Sequence, residues 1–186
     1  GNSNGGSMVQ RLGCDYPEHF AAVGIMIYQM PPGHACGPSE TLPMFHYYAE
    51  LDDGVPPDGK PSPYGWVYTS AEDNTRVWAE AMGCSSPAVS WQTALAQEHD
   101  LECEAYTDCQ VEGAAVVSCG DPAAGHEWAA QRIDAIPADC VAPAQKQDLP
   151  RQPLCPAISP PEERWGMELV WQFFSQHRRS PALAST

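Results

Sequence analysis

The chain has 186 residues, long enough for one domain with a sizeable core, and nothing in its composition points to two independent cores. A formal net charge of −15 with only nine lysines and arginines, and no basic run beyond the short "HRR" at 177–179, argues against nucleic acid or an anionic membrane as partner. No apolar run reaches the roughly 18 residues that a membrane-spanning helix requires.

The first residues, Gly1-Asn2-Ser3-Asn4-Gly5-Gly6-Ser7-Met8, fit a flexible leader by composition. They also match G-x-S-x-G, the sharp strand-to-helix turn on which α/β-hydrolases mount a nucleophilic serine. Met8 and Leu12 then stand at helical spacing, so a helix is expected over about 5–14, closed before Pro17. "FAAVGIMIY" (20–28) is a continuous apolar run bounded by "PPG" and reads as a buried parallel strand. "LPMFHYY" (42–48) reads as a second strand, closed by the acidic turn "ELDDG". Residues 54–65 hold too many prolines and glycines for a regular element and form a surface loop of a functional, lid-like kind. "SAEDNTRVWAEAMGC" opens with a Ser-x-x-Asp capping pattern and groups Val77, Trp78 and Met82, which predicts a helix ending at Gly83. "VEGAAVVSC" (111–119) is a third strand. The proline-rich stretch 137–161 reads as irregular and held by cysteines, and 162–177 as an amphipathic helix around Trp165, Leu169, Val170 and Phe173. Strands alternating with helices make an α/β class.

Eight cysteines (14, 36, 84, 103, 109, 119, 140 and 155) are many for this length, and their even number points to disulfides made in an oxidising compartment. No C-x-x-C pair is present, which removes the commonest structural zinc spacing, so no metal and no cofactor are expected. The preferred pairings are Cys84 with Cys109 and Cys140 with Cys155.

A serine hydroxyl becomes a nucleophile only when a histidine takes its proton and an acid holds that histidine in the right tautomer. The order serine, acid, histidine is available here: Ser3 in the glycine turn, Asp52-Asp53 after the strand 42–48, and His126 in the loop after the strand ending at 119. Each would stand at the C-terminal end of a strand, where open α/β sheets keep their sites. His19, His46, His99 and His177 are read as surface or packing residues; His34 is the next candidate base, but it precedes the acids.

Several segments together resemble the secreted polyhydroxybutyrate depolymerases and feruloyl esterases. "GNSNGGSM" with "PEHFAAVG" resembles their G-x-S-x-G-G elbow and the segment after it, and "DDGVPPDG" their acid loop D-x-x-V-P-x-x-G, aligning Asp52 rather than Asp53 with the acid. "WAEAMGC", "VVSCGDPAAGHEW" and "VWQFFSQH" are similar to their W-x-x-x-x-G-C helix end, G-H-x-W-P loop and closing W-x-F-F helix. Ala129 stands where the family has proline, and 137–161 has no counterpart there. The resemblance runs from Gly1 to about His177 and implies the C-terminal portion, 1–186, of a single α/β-hydrolase domain, truncated before the nucleophile elbow. It implies a secreted or periplasmic serine esterase with Ser3, Asp52 and His126 as triad, the Asn4 backbone N–H as one oxyanion donor, and Trp128 at the acyl pocket. The partner would be an ester substrate, either a polyester or an esterified polysaccharide. The fold of the family also calls for a strand delivering the chain into the elbow, a place that the strands 20–28, 42–48 and 111–119 leave empty, so this stretch alone is expected to be loosely packed and inactive. The alternatives are a non-catalytic hydrolase fragment and a disulfide-rich structural or binding domain.

Overall fold

The computed structural model describes residues 1–85, 88–106, 108–110, 114–126, 151, 154 and 165–178. Its first element is α1 (Asn4–Asp15), which starts directly at the serine of the glycine turn. Two glycines allow this tight start. A Cβ on Gly1 would stand 2.2 Å from the Gly5 carbonyl oxygen, and one on Gly6 would press on Tyr28 and the Met26 carbonyl, where the helix crosses the strand beneath it.

Five strands follow among the described residues: β1 (Val23–Met26), β2 (Met44–Ala49), β3 (Val89–Ser90), β4 (Glu102–Tyr106) and β5 (Val116–Asp121). They form one sheet in the order β1-β2-β5-β4-β3. β1, β2 and β5 run parallel, whereas β4 pairs antiparallel with β5 and with β3, so the class is α/β with a mixed sheet. The three strands predicted from apolar runs are the three parallel ones. They are buried along almost their whole length, the burial that produces such runs. β1 is shorter than the run 20–28 from which it was predicted, and residues 111–113 of the third predicted strand lie outside the described residues. No element was expected between 84 and 111. β4 alternates exposed Glu102 and Glu104 with buried Cys103 and Ala105, and so small an inward set leaves only a faint period of two.

Both sheet faces are covered. On one, Phe45, Tyr47, Val117 and Cys119 pack under α3 (Ala94–Glu98) and α4 (Trp165–Phe174). On the other, Ile25, Met44 and Val116 pack with Trp78 and Ala79 of α2 (Ala71–Ala81) and with Val9 and Cys14 of α1. The capping pattern of α2 forms, with Ser70 Oγ accepting the Asp73 N–H at 3.0 Å. Buried Trp78 donates its indole N–H to the Leu42 carbonyl at 2.9 Å.

Among the described residues, three disulfides link Cys14 to Cys36, Cys84 to Cys109 and Cys103 to Cys119. They fit maturation in an oxidising environment. The Cys84–Cys109 pairing is the expected one; Cys140 and Cys155 lie outside the described residues, as does most of 137–161. Among the described residues, no helix is long and apolar enough to cross a membrane.

Gly1–Ser3 lie along the outer edge of β1: the Met26 N–H donates to the Gly1 carbonyl and the Ser3 N–H to the Met26 carbonyl, both at 2.9 Å. The chain therefore enters the serine turn beside β1, on the side away from β2.

Candidate active site

The parallel strands β1, β2 and β5 point their C-terminal ends the same way, and each delivers one group to that end. Ser3 is held against the last residue of β1, Asp52 follows β2 by three residues, and His126 follows β5 by five. The backbone couples the last two arms, since the Glu50 N–H donates to the Asp121 carbonyl at 2.9 Å and the Leu51 N–H to the Ala124 carbonyl at 3.0 Å.

Ser3 has φ 49° and ψ −123°, a conformation that L-residues avoid and that costs on the order of 1–3 kcal/mol. It stands at the N-cap of α1, where a serine hydroxyl ordinarily accepts a backbone N–H, yet it makes no such bond. The hydroxyl instead meets His126 Nε2 at 2.9 Å. On the far side of the ring, His126 Nδ1 meets Asp52 Oδ2 at 2.7 Å. A carboxylate only accepts, so Nδ1 carries the proton and Nε2 is left with its lone pair toward the serine.

Asp52 is almost wholly enclosed, its side chain 1 % exposed, and its other oxygen accepts the N–H groups of Gly54 and Val55, each at 2.8 Å. Three hydrogen bonds thus fix the carboxylate. Gly54 lies so near that a Cβ there would stand 3.3 Å from Asp52 Oδ1 and 3.5 Å from the His126 ring. Asp53, the neighbouring acid, is exposed and acts on His126 only through its charge. The Asp52 hydrogen bond raises the His126 pKa above the ordinary imidazole value; burial opposes this, and the charges of Asp52 and Asp53 add to it.

Of the other expected site residues, Asn4 is the first residue of α1, where backbone N–H groups have no intrahelical partner and the helix dipole favours negative charge. Trp128 lies outside the described residues. His46 is fully buried in β2 between Thr75 and the Tyr28 carbonyl, a packing position as expected. No group of three or more His, Cys, Asp or Glu among the described residues is arranged to hold a metal ion. Two residues close to the site escaped the sequence reading, Tyr47 and Asp121, whose side chains hydrogen-bond at 2.7 Å beneath the histidine loop. The signal available for Asp121 was its place before Pro122, a turn-initiating pair.

Comparison with known protein families and with curated proteins finds no match to this chain.

Proposed function

We propose that this chain belongs to a secreted serine carboxylic-ester hydrolase of α/β-hydrolase fold, akin to the polyhydroxybutyrate depolymerases and feruloyl esterases. The observation that carries the reading is the continuous relay from Ser3 Oγ through His126 to buried Asp52, with contacts of 2.9 and 2.7 Å.

In this mechanism Ser3 Oγ attacks the ester carbonyl carbon as His126 Nε2 takes its proton. The carbonyl oxygen gains negative charge, which the Asn4 N–H stabilises from the start of α1. The tetrahedral intermediate collapses, the C–O bond to the alcohol breaks, and the alcohol leaves with the proton returned by His126. Water, deprotonated by the same nitrogen, then releases the acid and restores Ser3. Asp52 stays ionised and stabilises the imidazolium formed at both stages. Every proton is handled by His126, so the cycle calls for no metal or cofactor. Trp128 would line the acyl pocket, and the substrate is a polyester or an esterified plant polysaccharide.

A fluorophosphonate probe applied to the natural gene product tests this. Ser3 is expected to become labelled, and Ser3→Ala to abolish labelling, because phosphonylation requires a serine both exposed and activated. Labelling that persists in Ser3→Ala would transfer the role to another serine; no labelling of the folded wild type would favour a disulfide-rich binding domain.

A further inference from the structure

Among the described residues, the segment that carries His126 is held by the backbone bonds from Glu50 and Leu51 and by the packing of Ala124 on the core. Between Asp121 and His126 it reads Pro-Ala-Ala-Gly, with Pro122 and Ala123 exposed, and the His126 side chain is itself 37 % exposed. Yet a relay of this kind tolerates little play: a displacement of about 1 Å costs roughly 10²-fold in rate. A side-chain tie at the start of this segment would narrow the play of the ring against Asp52.

Asp121 has the contacts to do so. It is the last residue of β5, only 9 % exposed, and each carboxylate oxygen is engaged. Oδ1 accepts the Ala123 N–H at 2.9 Å, closing the first turn of the histidine segment, and Oδ2 accepts the Tyr47 hydroxyl at 2.7 Å. Tyr47 is wholly buried in β2, the strand that continues into Asp52, and it pairs in register with Cys119, two residues before Asp121 on the same sheet face. One carboxylate therefore ties the turn bearing the base to the strand bearing the acid.

We propose that Asp121, clamped by Tyr47, is a positioning residue that holds the His126 imidazole against Asp52. Its catalytic consequence rests on the hydrolase reading above; the geometric claim does not. Asp121 touches neither Ser3 nor the reacting atoms and acts through the turn. In Asp121→Ala the turn loses both of these fastenings and keeps the backbone bonds from Glu50 and Leu51 and the packing of Ala124. In Asp121→Asn, Oδ1 still accepts from Ala123 and the amide can donate to the Tyr47 hydroxyl, so the clamp persists.

The deciding measurement is an NMR titration of the His126 ring protons, identified by their loss in His126→Gln, which requires no substrate. In wild type the ring should titrate above the ordinary imidazole value. In Asp121→Ala its pKa should fall toward that value, because the Asp52 hydrogen bond is what raises it, and Asp53 adds only a weaker charge effect. Tyr47→Phe should shift it the same way by less, and Asp121→Asn should leave it in place. In the natural gene product acting on an ester, Asp121→Ala should lower kcat about 10²-fold with KM little changed, and the acid limb of the pH profile should move to lower pH. A loss of folded protein alone would lower activity without moving that limb. An unchanged His126 titration in Asp121→Ala overturns the proposal; should that variant fail to fold, an unchanged titration in Tyr47→Phe does so instead. A natural gene product that is folded and inactive, yet whose His126 titration still responds, would sink the hydrolase reading and leave the positioning role standing.

Discussion

Ser3, Asp52 and His126 lie 49 and 74 residues apart in sequence, so their meeting depends on side-chain reach at single residues. The adjacent acids show how sharply. Asp52 turns inward because its Oδ1 takes the N–H groups of Gly54 and Val55, which leaves Oδ2 for the histidine, whereas Asp53 stays exposed. Asp52→Asn should therefore lower kcat by about 10⁴-fold, as the corresponding change does in trypsin, because an amide opposite Nδ1 favours the wrong tautomer. Asp53→Asn removes only a charge from the neighbourhood of His126, so its effect on kcat should stay within a few-fold, with a small fall in the pKa of the acid limb. Steady-state rates of the two variants across pH check this, and a larger loss at Asp53 would move the acid to that residue. The choice of Asp52 was available in the sequence only through the D-x-x-V-P resemblance; the bare "DDG" offers two equal carboxylates.

At the scale of elements, the parallel strands were legible because both of their faces are covered, which forces a run of apolar residues. β4 was not, because its inward positions are filled by Cys103 and Ala105 beneath a row of glutamates. Its hold on the sheet is partly covalent: Cys103 and Cys119 stand directly opposite each other in the β4–β5 ladder and are bonded. The cross-link closes a loop of sequence separation 16, a constraint on the unfolded chain worth about 3 kcal/mol. The double variant Cys103→Ala/Cys119→Ala should lose close to that amount in urea unfolding, with an unchanged denaturant slope if the same surface is still buried. A change within about 0.5 kcal/mol, the usual scatter of neutral substitutions, would show that β4 is secured by packing and ladder bonds alone.

At the scale of the whole molecule, the fully buried His46 ring between the sheet and α2 links folding to pH. Burial pulls its pKa down to about 4 from 6.5, the backbone bond to Tyr28 only partly opposing this. The folded state thus holds His46 neutral where the unfolded chain would protonate it, so stability is fully present above about pH 6.5 and falls as pH drops toward 4. The span corresponds to roughly 3 kcal/mol. Urea midpoints at pH 7 and pH 4.5 should separate clearly for the wild type, and His46→Asn, although less stable at pH 7, should show a smaller separation. Equal separation in both proteins would assign the acid sensitivity to other groups.

Periodicity and punctuation in the sequence were enough to determine the helices α1, α2 and α4, the three parallel strands, the oxidising chemistry of the cysteines and the residue types able to form a relay, because each follows from a few neighbouring residues. Where those elements go is another matter. The turn of the sheet from parallel to antiparallel at β5, the place of Ser3 beside β1, the meeting of Asp52 with His126 and the Tyr47–Asp121 tie join residues from 10 to 123 positions apart. Such contacts are set by register and by hydrogen bonds between separate strands, quantities that no local pattern of residues encodes, and only the tertiary structure decided them.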